Sequence, residues 1–500
     1  MRQNHLSPAL LCGVAAAVPA ACAAQQGAGG GESGRPNIVY IMTDDHAYQT
    51  VGAYGHPISR LAPTPNIDRL AREGMLFREA FVENSISAPS RATLLTGVYS
   101  HRHGQTTLSY GIMDTTLVHF PELLRAEGYR TAIFGKWHLS VEPKGFDHYD
   151  LLWDQGEYYN PVMRTPETGG RYVRQEGYAT DIITDHALAW LDGHRDDDAP
   201  FCLMIHHKAP HRNWMADLKY LDLYEDVEFP EPETLFDDYA TRGDQMRQQQ
   251  LTIDRHMGYA FDFKVEELKD EPTLQYIHDS WDIAMSTLTP EQRRVWDDSY
   301  GRKNRDFLAD RPEGKELLRW KYQRYIHDYC RTIRSVDDQI GRVLDYLEEN
   351  GLMDNTLIVY TSDQGFLLGE HGLYDKRFMY EESFRTPLIM AWRGHIRPGT
   401  VCRELVQNID YAPTLLDAAG VAVPDGMDGV SLQPLFRSGK ARGWRTSLYY
   451  QYYDYPAVGS VRAHYGIRTD RYKLIHWFGP GADGDPDIDF WELYDLRKDP

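Results

Sequence analysis

Five hundred residues, 42% hydrophobic and 25% charged, are ordinary globular material, enough for one large domain with a smaller one attached. The formal net charge of −21 argues against a nucleic-acid partner, because a phosphate backbone demands basic stripes that this chain lacks overall. An anionic ligand would have to be held by local cations.

Residues 1–35 differ in kind. Arg2 precedes an apolar, Ala-rich run from Leu6 to Ala21, and a Gly-rich tract follows from Gly27 to Gly34. This reads as a secretory signal and a flexible tether, hence an exported protein, periplasmic or anchored at an outer membrane. Ala20-Ala21-Cys22 resembles the cleavage motif of bacterial lipoproteins, in which the Cys carries a lipid membrane tether. Pro19 is a poor residue one position further back, and simple cleavage nearby is the rival reading. The apolar run falls short of the ~20 residues a membrane helix needs. Cys12 and Cys22 lie in this segment, leaving Cys202, Cys330 and Cys402 as scattered small hydrophobes with neither a disulfide framework nor zinc-ligand spacing.

From Arg35 on, short β-branched runs alternate with helical patterns. Ile38 to Met42 reads as a strand buried in a parallel sheet, and Thr64 to Gly74 as a short helix with a Pro start and a Gly stop. A helix after Ser87 stops at Gly97; another, from His119 to Glu127, leads to a strand over Thr131 to Phe134. Thr180 is placed to cap a helix carrying Ile183, Leu188 and Leu191, and Phe201 to Ile205 comes next as a strand.

Between 214 and 316 the pattern weakens into charged, aromatic, Pro-punctuated sequence, read as an insertion over the sheet. Its acidic pairs Glu225-Asp226 and Asp237-Asp238 read as solvated faces. Ile326, Cys330, Ile333, Val336, Ile340, Val343 and Leu347 then mark a helix closed by Gly351, and Leu357 to Thr361 is the last obvious core strand. A helix near Tyr411 to Ala419 precedes Tyr-rich alternating strands, including Tyr465 to Arg468 and Tyr472 to His476, as in a small antiparallel sheet. The expected division is a catalytic domain over 36–395 and a C-terminal subdomain over 396–500. The chain stops at Asp499-Pro500 without a closing element, which reads as a truncated C-terminus.

Strands joined by crossover helices bind ligands beyond their carboxyl ends. Here those ends deliver Asp44 and Asp45 after Met42, Lys136 and His138 after Phe134, Lys208 and His211 after Ile205, and Asp363 and Gln364 after Thr361, with Lys376 a little beyond. Asp44, Asp45, Asp363 and Gln364 offer only hard oxygen donors, which suits Ca²⁺ or Mg²⁺ and not zinc; a ring completed by substrate oxygens favours Ca²⁺. Ser87 adds a hydroxyl beside a helix N-terminus, a natural place for an anion, and Arg91 a cation one turn on.

The segment Ser87-Ala88-Pro89-Ser90-Arg91, with Leu95-Thr96-Gly97 after it, resembles the maturation signal of the type I sulfatases. The resemblance extends over separated motifs from Arg35 to Pro500. It implies a fold like that of alkaline phosphatase: α/β, a large mixed, mainly parallel sheet sandwiched by helices, with a smaller C-terminal antiparallel sheet. It implies that a maturation enzyme oxidises Ser87 to formylglycine, and that Asp44, Asp45, Asp363, Gln364 and residue 87 hold Ca²⁺. By the same resemblance, Arg91 and Lys136 steady the formylglycine, His138 bonds to its hydroxyl and acts as a base, and His211 and Lys376 contact the sulfate and the departing oxygen; Lys208 is close to these in sequence.

Within the family, the segments Gln155 to Asn160, Lys208 to Trp214 and His464 to Thr469 look most like bacterial N-acetylglucosamine-6-sulfatases of glycosaminoglycan and mucin breakdown, with His464 as a substrate-facing candidate. The implied partner is a sulfated saccharide. Two rivals are a phosphodiesterase or phosphonate hydrolase of the same superfamily, and an unmatured, inactive glycan-binding lipoprotein.

Overall fold

A computed structural model describes residues 34–481 and 486–499. The expected signal and tether, including Cys12 and Cys22, lie outside the described residues apart from Gly34 and Arg35. Asn37–Thr43 (β1) carries the first apolar run, and its alternate residues face opposite ways: Val39 and Ile41 join one buried layer, Ile38, Tyr40 and Met42 the other. A strand covered on both faces has no polar side, so its sequence is continuous rather than alternating.

The other strands of this sheet are Met75–Phe77 (β2), Arg130–Gly135 (β3), His148–Leu152 (β4), Val162–Arg164 (β5), Val173–Arg174 (β6), Phe201–His206 (β7), Thr356–Ser362 (β8), Leu388–Ala391 (β9) and Thr400–Cys402 (β10). Their order in the 10-stranded sheet is β10-β2-β9-β8-β1-β7-β3-β4-β5-β6. The central block from β8 to β4 is parallel, while β9 runs antiparallel to both β8 and β2. The fold is therefore the expected mixed, mainly parallel sheet between helices.

One face is covered by Pro65–Glu73 (α1), Ala179–His194 (α4) and Gly314–Glu349 (α7), through Ile67, Leu70, Ile183, Leu191, Val336, Ile340 and Leu347. The other is covered by Ser87–Thr96 (α2), Phe120–Ala126 (α3) and Tyr411–Ala418 (α8), through Leu94, Leu95, Phe120, Leu124, Leu415 and Leu416. Ser447–Tyr452 (β11), His464–Thr469 (β12), Tyr472–Gly479 (β13) and Ile488–Asp495 (β14) form the small antiparallel sheet. Its inner face packs through Tyr450 on Phe384 and through Trp477 on Phe378 and Tyr380, in a third buried cluster that also includes residues of the N-terminal half of α7.

Several expectations need correction. The boundary at 395/396 cuts through the large domain: β10 pairs with β2, and α8 covers the large sheet, so the small sheet starts only at Ser447. Two core strands, β9 and β10, come after the one expected to be last. Thr180 does not cap α4, which starts at Ala179 after Tyr178, where the Ala179 amide bonds to the Tyr158 carbonyl at 2.8 Å. Helix α7 begins at Gly314, twelve residues before its expected start at Ile326, because its first half buries Tyr322 and Tyr325 together with Lys321 and Arg324 instead of an aliphatic stripe.

The insertion also contains clear helices, Gln275–Ser286 (α5) and Pro290–Ala309 (α6). Trp281 and Trp296 bury these two in the same layer that takes Val39 and Ile41 of β1. Its acidic residues are not all bare: Glu225 pairs with Arg331 at 3.1 Å and Asp237 with His371 at 2.7 Å. Cys202, Cys330 and Cys402 are free and buried, as expected. Among the described residues no helix is long and apolar enough to cross a membrane.

Helices α7 and α1 approach closely at Gly341. The Asp337 carboxylate accepts the backbone N–H groups of Asn66 at 3.1 Å and Ile67 at 2.9 Å, and Asn66 Nδ2 donates back to the Asp337 carbonyl at 3.0 Å. A Cβ at Gly341 would lie 2.7 Å from the Asn66 side chain, which these bonds hold in place. Gly341→Ala is therefore expected to destabilise by about 1–2 kcal/mol, overpacking outweighing the ~1 kcal/mol helix preference for Ala. An unchanged or raised urea midpoint would contradict this packing.

Candidate active site

The register of the parallel strands builds the site. Thr43 of β1 lies beside Ser362 of β8, so the next residues on each, Asp44 and Asp45 on one and Asp363 and Gln364 on the other, emerge together. Lys136 follows β3 and the loop carrying Lys208 and His211 follows β7, on the two neighbouring strands. Helix α2 aims its first turn at the same point. Ile86 is its N-cap and Gly97, with φ of 66°, ends it in the left-handed conformation. Ser87 is thus the first residue of the helix rather than the one ahead of it. Ser90 Oγ donates to the Asp363 carbonyl and accepts from Asn408 Nδ2 at 3.0 Å, pinning that turn to the end of β8.

Ser87 Oγ donates to Asp44 Oδ1 at 3.2 Å and accepts from Gln364 Nε2 at 3.2 Å. Each neighbouring carboxylate has a cation. Arg91 donates through Nε and Nη2 to Asp363 Oδ2 at 3.2 and 3.0 Å, Lys136 bonds to Asp44 Oδ2, and Lys376 reaches Asp45 Oδ2 at 2.6 Å. His211 Nε2 lies 3.7 Å from Asp45 Oδ2. Ser87, His138, Lys208, His211 and Lys376 line a cavity of about 480 Å³, whose walls also include Trp153, Tyr158, Phe261, Ile283 and Arg377. All the site residues named after the strands therefore converge, together with Ser87 and Arg91.

His464 does not. It is fully buried in the small sheet: Nε2 accepts from the Met379 backbone N–H at 3.1 Å, Nδ1 donates to the Arg462 carbonyl at 2.8 Å, and the ring packs on Trp477 with centroids 4.0 Å apart. It holds the sheet together and faces no substrate. Lys208 sits at the cavity with Nζ 4.8 Å from the Tyr158 ring centroid and 3.3 Å from the Gln155 carbonyl.

Gln155, which sequence reasoning left without a role, links two of the predicted residues. Lys136 can only donate, so its bond to Gln155 Oε1 fixes the amide, and Gln155 Nε2 must donate to His138 Nε2 at 2.9 Å. The neutral His138 ring then carries its proton on Nδ1. In that form the second nitrogen is a donor, not the base that the resemblance implies. Gln155 lies just beyond β4, so the rule about strand ends reaches it once β4 is recognised; the sequence His148-Tyr149-Asp150-Leu151-Leu152 has no β-branched residue to announce the strand.

Burial governs the charges. It pushes Asp363 up to about 7 and Asp45 up to about 6 despite Arg91 and Lys376. Asp44 is pushed the same way by burial, yet the cations Lys136, Arg91 and Lys376 together hold it well below the usual carboxylate range. Burial keeps His138 and His211 neutral and brings Lys208 down to about 8.

The donors fit a hard divalent cation. Asp44, Asp45 and Asp363 present buried carboxylate oxygens beyond the ends of β1 and β8, and Gln364 Oε1 is buried without a hydrogen-bond partner. Turning the Gln364 amide over would direct that oxygen to the point its nitrogen now occupies between Asp45 Oδ1 and Ser87 Oγ. With the three carboxylates matched by Arg91, Lys136 and Lys376, a dication and a bound oxyanion would enter as mutually compensating charges.

A mainly parallel sheet that gathers hard oxygen ligands, a helix-borne hydroxyl and cations at its carboxyl edge defines a hydrolase of the alkaline phosphatase superfamily. The chain belongs to the sulfatase family: the family model described as Sulfatase matches residues 36–421, and one described as N-sulphoglucosamine sulphohydrolase, C-terminal, matches 369–500. It is 44% identical to an N-acetylglucosamine-6-O-sulfatase of Bacteroides thetaiotaomicron, over 98% of this chain and 85% of that protein. It is 28% identical to the multifunctional alkaline phosphatase superfamily protein PehA of Trinickia caryophylli, over 93% and 92% of the two chains. A solved structure in complex with its substrate, D-glucosamine-2-N,6-O-disulfate, matches with a TM-score of 0.85 and 44% identity, covering 93% of this chain and 92% of that one.

Titration with Ca²⁺ is expected to stabilise chelator-treated protein against unfolding, by about 2.7 kcal/mol at a hundredfold excess over Kd. Asp363→Ala should remove that response; a variant stabilised as much as the parent would refute Asp363 as a ligand.

Proposed function

We propose that this sulfatase removes the 6-O-sulfate of N-acetylglucosamine in glycosaminoglycan or mucin glycans, with residue 87 matured to formylglycine and Ca²⁺ held by Asp44, Asp45, Asp363, Gln364 and residue 87. The observation that carries the reading is the Ser87 hydroxyl, bonded to Asp44 and Gln364 and lining a cavity with Lys208, His211 and Lys376. The sugar is proposed from the B. thetaiotaomicron relative and the substrate complex, which both concern 6-sulfated glucosamine.

An unmodified Ser87 that attacked a sulfate ester would be left as a stable serine sulfate. Formylglycine, once hydrated, supplies two hydroxyls on one carbon, one to attack sulfur and one to release sulfate. Ca²⁺, held by Asp44, Asp45, Asp363 and Gln364, would supply a fixed positive charge beside the sulfate oxygens and the residue 87 hydroxyl. The chain's own residues do the rest. Lys376 and Lys208 meet the negative charge in the cavity, and Arg91 fixes Asp363 so that this carboxylate cannot turn away. His138, held by Gln155, offers Nδ1–H to an oxygen on residue 87.

His211 gives its Nδ1–H to the Arg212 carbonyl at 2.7 Å, which leaves Nε2 as the nitrogen able to take up a proton when the anion arrives. From there it protonates the departing sugar oxygen. The composition of residues 1–35 supports export and a Cys22 tether, and conversion of Ser87 requires a maturation enzyme in the host.

A second reading, phosphodiester or phosphonate hydrolysis, follows from the shared superfamily, of which the Trinickia relative is named a multifunctional member. The ratio of kcat/KM on sulfate and phosphate esters of one sugar separates the two, and the proposal predicts a large excess for sulfate. Ser87→Ala should bring glucosamine 6-sulfate turnover to background while the protein still folds cooperatively, the two lost buried hydrogen bonds to Asp44 and Gln364 costing about 1–3 kcal/mol of stability. Substantial remaining turnover would refute residue 87 as the nucleophile.

A further inference from the structure

The helical insertion supplies more than a wall. Its short helix Tyr259–Phe263 and the residue after it carry two fully buried charges, Asp262 and Lys264, outside the site described above. Asp262 takes the Arg212 guanidinium in a bidentate pair, Nε to Oδ1 and Nη2 to Oδ2, both at 2.6 Å, and also accepts the Gly258 backbone N–H at 2.8 Å. Lys264 Nζ donates to the Asn213 carbonyl, and to the Asp262 carbonyl at 2.9 Å. The Arg212 guanidinium also lies over the Phe261 and Tyr374 rings, 5.3 and 4.8 Å from their centroids.

These bonds act on consecutive residues. The Arg212 carbonyl, which lies between the two clamped positions, is the group that accepts His211 Nδ1–H. A planar peptide whose side chain is gripped on one side and whose next carbonyl is gripped on the other has little freedom to turn that carbonyl. The Tyr158 hydroxyl donates to the His211 carbonyl and holds the near end. The insertion, about fifty residues away in sequence, thus grips both sides of the carbonyl to which the imidazole bonds.

We propose that Asp262 and Lys264 are positioning residues that hold the Arg212 carbonyl on His211 Nδ1, so that His211 Nε2 presents its proton to the departing oxygen. The proposal rests on the reading of His211 as the general acid. A sugar alcohol is a poor leaving group and needs that proton; a nitrophenolate leaves without it. The clamp should therefore matter for one substrate and not for the other, a distinction that general loss of folding or of maturation would not produce.

The test measures kcat and KM for glucosamine 6-sulfate and for 4-nitrophenyl sulfate on matured enzyme, normalised to formylglycine content. His211→Ala first tests the underlying reading: a loss of about a hundredfold or more in kcat on the sugar sulfate, with the aryl sulfate within about threefold, supports the general acid. A loss that is equal on both substrates overturns that reading. Asp262→Asn should then show the same selectivity, with kcat on the sugar sulfate down at least about tenfold, KM little changed, and most activity regained in Asp262→Glu. If His211→Ala is selective but Asp262→Asn lowers both substrates alike, or neither, the positioning role is overturned while the general acid stands. Should Asp262→Asn fail to fold, Lys264→Met is read against the same two outcomes.

Discussion

Three carboxylates buried at the ends of two adjacent parallel strands are the constraint on which the rest of the molecule depends. Asp44 and Asp45 leave β1, and Asp363 leaves β8, at a register that sets them side by side with almost no solvent. Unmatched, such a cluster would protonate, and burial already pulls Asp45 and Asp363 that way. The fold answers with one cation per carboxylate, each from a different element: Lys136 beyond β3, Arg91 on α2, and Lys376 in the loop past β8. Removing one member of a buried ion pair typically costs about 3–5 kcal/mol. The same residues thus serve stability and chemistry, and the helix that carries Ser87 is tied into the cluster by Arg91 and Ser90.

Around this centre the chain arranges two kinds of support. The rigid kind is the sheet itself, buried on both faces, which fixes the strand ends. The second comes from segments that reach over the carboxyl edge: the loop after β4 brings Gln155 between Lys136 and His138, and the insertion brings Asp262 and Lys264 to the residues next to His211. Both work through the first row of side chains and hold the groups to which the two imidazoles bond. That control differs at the two histidines, His138 being held through Nε2 and His211 through Nδ1.

Much of this is legible in the sequence. Strands covered on both faces show as unbroken apolar runs, so β1, β7 and β8 are readable, and the residues just past the carboxyl ends of such strands make up nearly the whole site. What the sequence hides has physical reasons. Strand β4 carries His, Tyr and Asp, so Gln155 beyond it stays unassigned. The first half of α7 buries tyrosines beside paired cations, and no aliphatic period marks it. Helix α6 is rich in charge, and the insertion helices α5 and α6 are anchored by one tryptophan each, a pattern that reads as surface. His464 misleads for the opposite reason: a polar residue on an alternating strand reads as outward, but here it stacks on Trp477 with both nitrogens satisfied internally.

The central claim is that Ser87, at the focus of these charges, is a precursor rather than the working nucleophile. Peptide mass spectrometry across Ser87, on protein from its native host or a host with a maturation enzyme, tests this most directly. The account predicts a loss of about two hydrogens, serine to aldehyde, the change that an activated nucleophile at this position requires. Unmodified Ser87 in protein that nevertheless turns over sugar sulfate would contradict it.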